Sequence, residues 1–569
     1  MCSERYAKGV FRLAYLPSFG ILLLCLVAGA ILMRPRIKAA ASESQTSRSP
    51  NAACAPCHRE IYERYRTTPM ANASGPAADG FIPADFVHTD SGVHYRVSEE
   101  GGRVWLSYER ESESPDKQLK GRQDLRYFLG SGKRGRTYLF QQSGYWFEAP
   151  INWYAKKQLW DMTPNYQSAR EAPLTLPVDP GCLRCHASNA AHSLPEARNH
   201  YAGEPFAHGG ITCAACHGDA DAHIRSAGKV RMLNIDALQP VRRDSVCLNC
   251  HLEGQAAVVR NGKKMENFTP GENLFDYALY FVYSGESGSG GRATSQWEAL
   301  LRSECKKQSG DRLTCTSCHD PHGSPPPAEK VAFFRGKCLA CHSQTNFAEK
   351  HHPENPDCTA CHMARPPSND IAHEQVTDHW IKKRVDNARL PLAASGDLQP
   401  VGGIIADDRD LGLAYAQMAA RGNQAAGEHA ITLLERAEHT ETDALHDHEL
   451  HAQLGFLKQM SGQTAAAIEE YQMALEADPY SAIAAGDLAL LKAGQHQYSD
   501  ASGLWKRVFD HDPAQTGAGM NLAIVACGLG NGADALRTLD RLLEFSPDNQ
   551  KAKALARGIR SESQKCGNR

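Results

Sequence analysis

The sequence predicts a mainly α protein in two parts: a cofactor-built region of short helices and loops with a small β-rich insert, then an α-solenoid. Three observations lead there. Cys-x-x-Cys-His occurs seven times, all before residue 363. Apolar and polar residues alternate with period two in the long gap after the first motif. Beyond residue 400 a 34-residue period sets in. The chain has 569 residues, 42% hydrophobic and 22% charged, with net charge −3. Those values exclude a wholly disordered chain, a polytopic membrane protein and a general nucleic-acid binder.

Residues 1–41 read as a signal peptide or an N-terminal signal anchor. Arg5, Lys8 and Arg12 precede an apolar run over 19–33. Arg34, Arg36 and Lys38 separate that run from the small-residue stretch 39–41, which favours an uncleaved anchor. Either way the rest is expected to be exported, in the periplasm, with inner-membrane association if the anchor is kept.

The seven motifs are Cys54/Cys57/His58, Cys182/Cys185/His186, Cys213/Cys216/His217, Cys247/Cys250/His251, Cys315/Cys318/His319, Cys338/Cys341/His342 and Cys358/Cys361/His362. With 19 Cys and 25 His in the chain, chance supplies about 0.03 matches to this attachment pattern. Two thiols three apart form thioethers with haem vinyl groups, and the adjacent imidazole takes the iron. A disulfide framework gives that His no role, and structural zinc does not explain its fixed offset. Seven covalently bound haem c groups are therefore expected, spanning residues 51–385.

Haem iron with two strong protein ligands transfers electrons; an open sixth position admits substrate. Eleven further His lie between residues 51 and 380. His322 follows His319 by three residues, a reach of about 10 Å at most. That is too short to round the porphyrin, so His322 would serve a neighbouring haem. His223 and His379 are the other leading distal candidates. His351 or His352 is expected on a nearby iron, while His192 and His200 rank lower. No Cys-x-x-Cys-Lys site occurs.

The stretch CAPCHREIYERYRTTPMANASG, residues 54–75, with GITCAACHGDADAH at 210–223 and CTSCHDPHG at 315–323, resembles the cytochrome c554-like multihaem family. The resemblance implies electron transfer outside the cytoplasm. It also implies a distal His twelve residues after the first proximal one, where this chain has Met70. Met70 is then a sulfur ligand, or the first haem is open. The family carries fewer haems than seven.

The 128-residue step after the first motif suggests a β-rich insert over about 85–160. Residues 92–110 alternate around Gly101 and Gly102, and residues 136–154 turn near Ser143 and Gly144. Loops are expected at 284–291 and 324–330, and an interdomain linker at 386–406. Over 407–562, Asp478–Pro479, Asp512–Pro513 and Ser546–Pro547 recur every 34 residues. Ala467/Tyr471/Ala474, Ala501/Trp505/Val508 and Ala535/Leu539/Leu542 hold the same register. Ala430/Leu434/Ala437 marks an earlier unit. The pattern resembles tetratricopeptide (TPR) repeats: about four, plus a capping helix after Pro547. Trp505 is expected in the core.

Electron transfer through closely packed haems is the leading expectation, with the repeats docking a redox partner protein. The alternative is an oxidoreductase with one open haem acting on a small nitrogen or sulfur compound. A scaffold in which haems serve assembly is the third.

Overall fold

The structure, a computed structural model, describes residues 50–285, 296–342, 351, 354–363, 365, 377–383, 396–440 and 444–567. The segment 1–41, residues 286–291 of the loop expected at 284–291, His352 and His373 lie outside the described residues.

The alternating stretch after the first motif folds as expected and then goes further. Strands β3 (His94–Glu100) and β4 (Arg103–Arg110) pair antiparallel. They turn on Gly101 and Gly102, both at positive φ. Strands β6 (Gly135–Gln142) and β7 (Tyr145–Glu148) form the second hairpin. Its two turn residues, Ser143 and Gly144, have φ 53° and 90°, as a two-residue primed turn demands. Strand β5 (Leu119–Leu129), among those not foreseen, joins the hairpins. Its outward charges, Lys120, Arg122, Asp124 and Arg126, masked an inward face that buries Leu119, Leu125 and Phe128. With β1 (Ser74–Pro76), β2 (Ala84–Val87), β8 (Ile151–Tyr154), β9 (Leu159–Met162) and β10 (Leu176–Pro177), the sheet has ten strands. The N-terminal region is thus sheet-rich, which corrects the expectation of a mainly α chain with a small insert. Tyr145, Trp146, Phe147 and Tyr154 are buried in it.

The C-terminal region is a helix-repeat solenoid. Helical pairs run Asp408–Ala420 with Gln424–Thr440, His448–Met460 with Thr464–Ala477, Ala482–Gly494 with Tyr498–His511, and Thr516–Gly528 with Gly532–Phe545. Gln550–Arg560 caps the stack. Ala467, Ala474, Ala501 and Ala535 are wholly buried, and Trp505 is 4% exposed. Gly455 shows why small residues recur: a Cβ there would lie 2.8 Å from the Tyr471 ring. A disulfide joins Cys527 and Cys566, 39 residues apart.

The solenoid is packed against the N-terminal region at both ends. Its first pair shares one core with the helix Pro240–His251, the strands Ala256–Val259 and Ala278–Tyr283, and Leu398–Pro400. That last strand, paired with Ala278–Tyr283, lies inside the stretch expected to be a plain linker. Three residues of it bury Leu398, too short a signal to separate from loop. At the other end Phe545 inserts between Tyr145 and Phe147, with ring centroids 5.7 and 6.2 Å away. Arg110 donates to the carboxylate of Asp548 through both terminal nitrogens.

Candidate functional site: seven thiol–imidazole motifs

Each motif is held on a turn of helix, so residues i, i+3 and i+4 share one face. In the first, the amides of Cys57 and His58 both donate to the Cys54 carbonyl. The others lie on Pro180–His186, Cys213–His217, Pro240–His251, Cys315–Cys318 (with His319 at its C-terminal boundary), Lys330–His342 and Cys358–His362. Helices this short need caps. Asp179 accepts the Gly181 amide, Asp357 accepts those of Thr359 and Ala360, and Thr314 with Ser317 forms a capping box.

The motifs approach one another through their thiols. Cys54 lies within hydrogen-bonding reach of Cys213, Cys185 of Cys250, Cys247 of Cys315, and Cys338 of Cys358. Cys250 Sγ also sits 3.7 Å from the Arg184 carbonyl, and Cys185 Sγ 4.0 Å from that of Asn249. The first motif is therefore beside the third, the second beside the fourth, the fourth beside the fifth, and the sixth beside the seventh. Two glycines bring the first and third together. A Cβ on Gly209 would meet the Ser74 carbonyl oxygen at 2.7 Å, and on Gly210 that of Ala71 at 2.1 Å. Burial pushes the Cys213 thiol up to about 12. The hydrogen bond with Cys250 draws that of Cys185 down to about 7.

Packing is uneven among the motif thiols. Cys57, Cys182 and Cys341 are exposed, while the other motif thiols are half-buried. Cys341 lies on a helix, Lys330–His342, of which no residue is fully buried. Spacing fixes which residues share a face but not whether that face is covered. Cys341 still has thiol neighbours. Burial, and then the nearby Cys341, raises Cys305; burial, and then Cys305 and Cys341 among its neighbours, raises Cys318. The sixth motif is thereby also near the fifth, with the spare thiol Cys305 beside them.

Four motif imidazoles face a second imidazole. The ring centroids of His58 and His223 are 6.1 Å apart, at 20° between planes. Those of His217 and His322 are 5.9 Å apart at 9°, and those of His319 and His379 6.2 Å apart at 34°. His362 and His351 stand at 5.8 Å and 26°. A metal–imidazole nitrogen bond is about 2.0 Å and the ring centre lies about 1.1 Å further, so imidazoles on opposite faces of one iron have centroids about 6.2 Å apart. These separations fit the span of an iron held from both sides.

Hydrogen bonds leave the right nitrogen free. A carbonyl can only accept, so an Nδ1 bonded to one carries the proton and Nε2 is the bare donor. His223 Nδ1 donates to Val230 O at 2.8 Å, His379 Nδ1 to Thr377 O at 3.0 Å, and His362 Nδ1 to Lys382 O at 2.6 Å. Asp320 approaches His322 Nδ1 at 3.5 Å. Burial holds His217, His251 and His319 below the usual imidazole range and His379 down to about 4, so they are neutral, as a ligand must be.

Other histidines are used differently. His88 bonds Ser91 through one nitrogen and Gln167 O through the other. His94 is engaged by Asp85 on the sheet surface. His200 stacks on Tyr145 at 4.2 Å. Met70 lies half-buried; its carbonyl accepts the amides of Ala73 and Ile211, and the ring facing His58 is that of His223. The pairing of His351 with His362 was the one sequence spacing left between two neighbours, because adjacent residues cannot be told apart by reach.

The tetratricopeptide repeat family model matches residues 490–559, and with the helix pairs it identifies the C-terminal region as TPR repeats. Similar solved structures include MamA AMB-1, at 22% identity over 27% of this chain and 80% of that one, with TM-score 0.24. They also include a MamA RS-1 double mutant, at 18% over 28% and 87%, with TM-score 0.25. YrrB, described as a TPR protein with an unusual peptide-binding site, matches at 19% over 26% and 73%, with TM-score 0.23. No curated protein matches the chain.

Proposed function

We propose that this is an exported heptahaem c-type cytochrome that transfers electrons and docks a redox partner protein through its TPR repeats. The observation that carries the reading is the set of four imidazole pairs at iron-spanning separation, each including the His of a Cys-x-x-Cys-His motif. Haem c, when bound, supplies one-electron chemistry at its iron. The chain's part is to hold it. The fourteen motif thiols, from Cys54 and Cys57 through Cys338 and Cys341 to Cys358 and Cys361, would hold it covalently. His58, His186, His217, His251, His319, His342 and His362 would bind the irons, and His223, His322, His379 and His351 would bind them with His58, His217, His319 and His362; on this reading His223 rather than Met70 serves the first site. The carbonyls of Val230, Thr377 and Lys382 fix the tautomer.

Contacts between motifs support close haem packing. The Cys527–Cys566 disulfide suits an oxidising compartment, in line with the N-terminal segment. TPR repeats are a polypeptide-binding class of solenoid, which supports a protein partner. The test is maturation in a host that exports and attaches haem, followed by iron and pyridine-haemochrome quantitation. Seven haems per chain are expected; a chain that matures without covalent haem refutes the reading.

A further inference from the structure

The segment 377–383 serves two motifs at once. Its His379 ring faces that of His319 in the fifth motif, with centroids 6.2 Å apart. Three residues on, its backbone meets His362 of the seventh motif twice. The Lys382 amide donates to the His362 carbonyl at 3.1 Å, and His362 Nδ1 donates to the Lys382 carbonyl at 2.6 Å. The His362 ring in turn faces His351. Any displacement of this stretch therefore moves one imidazole of a facing pair and the hydrogen-bond acceptor of another.

One side chain grips the middle of that stretch. Ser303 lies between two short helices, Gln296–Leu301 and Glu304–Ser309. It is the N-cap residue of the second, where a serine oxygen ordinarily accepts an amide of the helix's own first turn. Ser303 makes no such bond. Its hydroxyl instead donates to the His379 carbonyl at 3.0 Å and accepts the Ile381 amide at 2.8 Å. The side chain is wholly buried. Its neighbour Arg302 lies over the ring of Trp380, between the two bonds, at 4.6 Å. Removing the hydroxyl strands a carbonyl and an amide together, which favours movement of the segment until both find other partners.

We propose that Ser303 is a positioning residue shared by the fifth and seventh sites: its hydroxyl fixes His379 and the Lys382 carbonyl as one strut. This deepens the proposed function and rests on its haem content. The direction of a ligating imidazole, and the bond its other nitrogen makes, set how strongly it binds a metal. Ser303 acts on the first of these at the fifth site, through the backbone of His379. It acts on the second at the seventh, through the acceptor of His362 Nδ1.

The experiment is electron paramagnetic resonance of the full-length, haem-loaded, oxidised protein. Cys315→Ala/Cys318→Ala and Cys358→Ala/Cys361→Ala, each lacking one attachment, identify the fifth and seventh signals by difference. Ser303→Ala should shift the g values of both and leave the other irons unchanged. Ser303→Thr, which keeps the hydroxyl, should return both towards the wild-type values. Ser245→Ala is the control. That serine is also wholly buried and also makes two backbone bonds, donating to Val241 O and accepting the Leu274 amide. Its loss should leave the fifth and seventh signals in place. A Ser303→Ala spectrum with neither signal shifted, or only one, overturns the inference and leaves the heptahaem reading standing. The same shifts in Ser245→Ala also overturn it, and absence of covalent haem overturns both readings. Should Ser303→Ala fail to mature, hydrogen exchange of the wild-type protein decides. The amides of Ile381 and Lys382 should both be protected; exchange of either at the rate of an open chain refutes the strut.

Discussion

Replacing Asp548 should release the C-terminal end of the solenoid from the sheet. The carboxylate is 1% exposed and its partner Arg110 9% exposed. It accepts both terminal nitrogens of Arg110 and the Ala172 amide at 2.8 Å. Arg110 keeps two other bonds, to Lys117 O at 2.7 Å and Ser91 O at 3.0 Å, so it is not wholly orphaned. Asp548→Ala breaks a buried pair from one side and strands an amide, a loss of about 3–5 kcal/mol. Asp548→Asn keeps an acceptor without the charge and should lose about half as much. Arg110→Ala/Asp548→Ala should cost less than the two single changes summed, since removing both partners leaves no unpaired charge. Hydrogen exchange is the assay, because a multi-part chain need not unfold in one step. Protection should fall together in 532–560 and in 94–110. If protection changes by less than about 1 kcal/mol in both segments, or the double-mutant coupling is nil, the docking argument fails.

Phe545→Ala leaves a cavity between Tyr145 and Phe147 and should cost about 3–5 kcal/mol, read by the same exchange experiment. His322→Ala should convert one low-spin iron to high spin, counted by electron paramagnetic resonance, while His88→Ala should convert none. Cys566→Ser opens a 39-residue loop and should destabilise the last helices by about 4 kcal/mol on the chain-entropy estimate, measured as a fall in denaturant midpoint. Acid should loosen the solenoid at Glu470. Burial pushes its carboxyl up, but hydrogen bonds from His451 and Lys458 outweigh that and hold it lowered. A lowered folded value means the contribution is complete above the usual carboxylate range, about 4.3, and is lost as pH falls through the lower folded value. Glu470→Gln should remove that part of the acid sensitivity in pH-dependent unfolding.

What could be read beforehand follows the range of the forces involved. A thiol–thiol–imidazole motif is local, so all seven are visible as text. How far each is covered is not local, and Cys341 on its exposed helix shows the difference. His322 was expected beside a neighbouring motif because three residues reach only about 10 Å, and its ring faces that of His217. TPR register is visible because Ala467, Ala501 and Ala535 answer the same steric demand every 34 residues. Strand β5 was not visible, since its charged face breaks the apolar run that marks a strand. The strand Leu398–Pro400 and the clamp at Asp548 were hidden for another reason: each is defined by a partner more than 100 residues away. Met70 was placed by resemblance alone, whereas the ring that faces His58 is that of His223, which arrives from beyond the third motif.

The double attachment of the solenoid changes what its repeats can do. A free TPR array flexes along its length, each repeat touching only its neighbours. Here the first repeat buries Leu413 and Leu434 in the core that holds Leu248 and Leu252, on and just after the helix carrying the fourth motif. The last repeat is fixed to the sheet by Phe545 and Asp548. The repeats and the thiol–imidazole motifs are therefore parts of one packed body. A polypeptide gripped by such a solenoid meets a surface already ordered and loses little further freedom in the protein on binding. It is also held at a set position relative to the fourth motif. Loosening the Asp548 clamp should then weaken partner binding even though Asp548, 1% exposed, can hardly touch the partner.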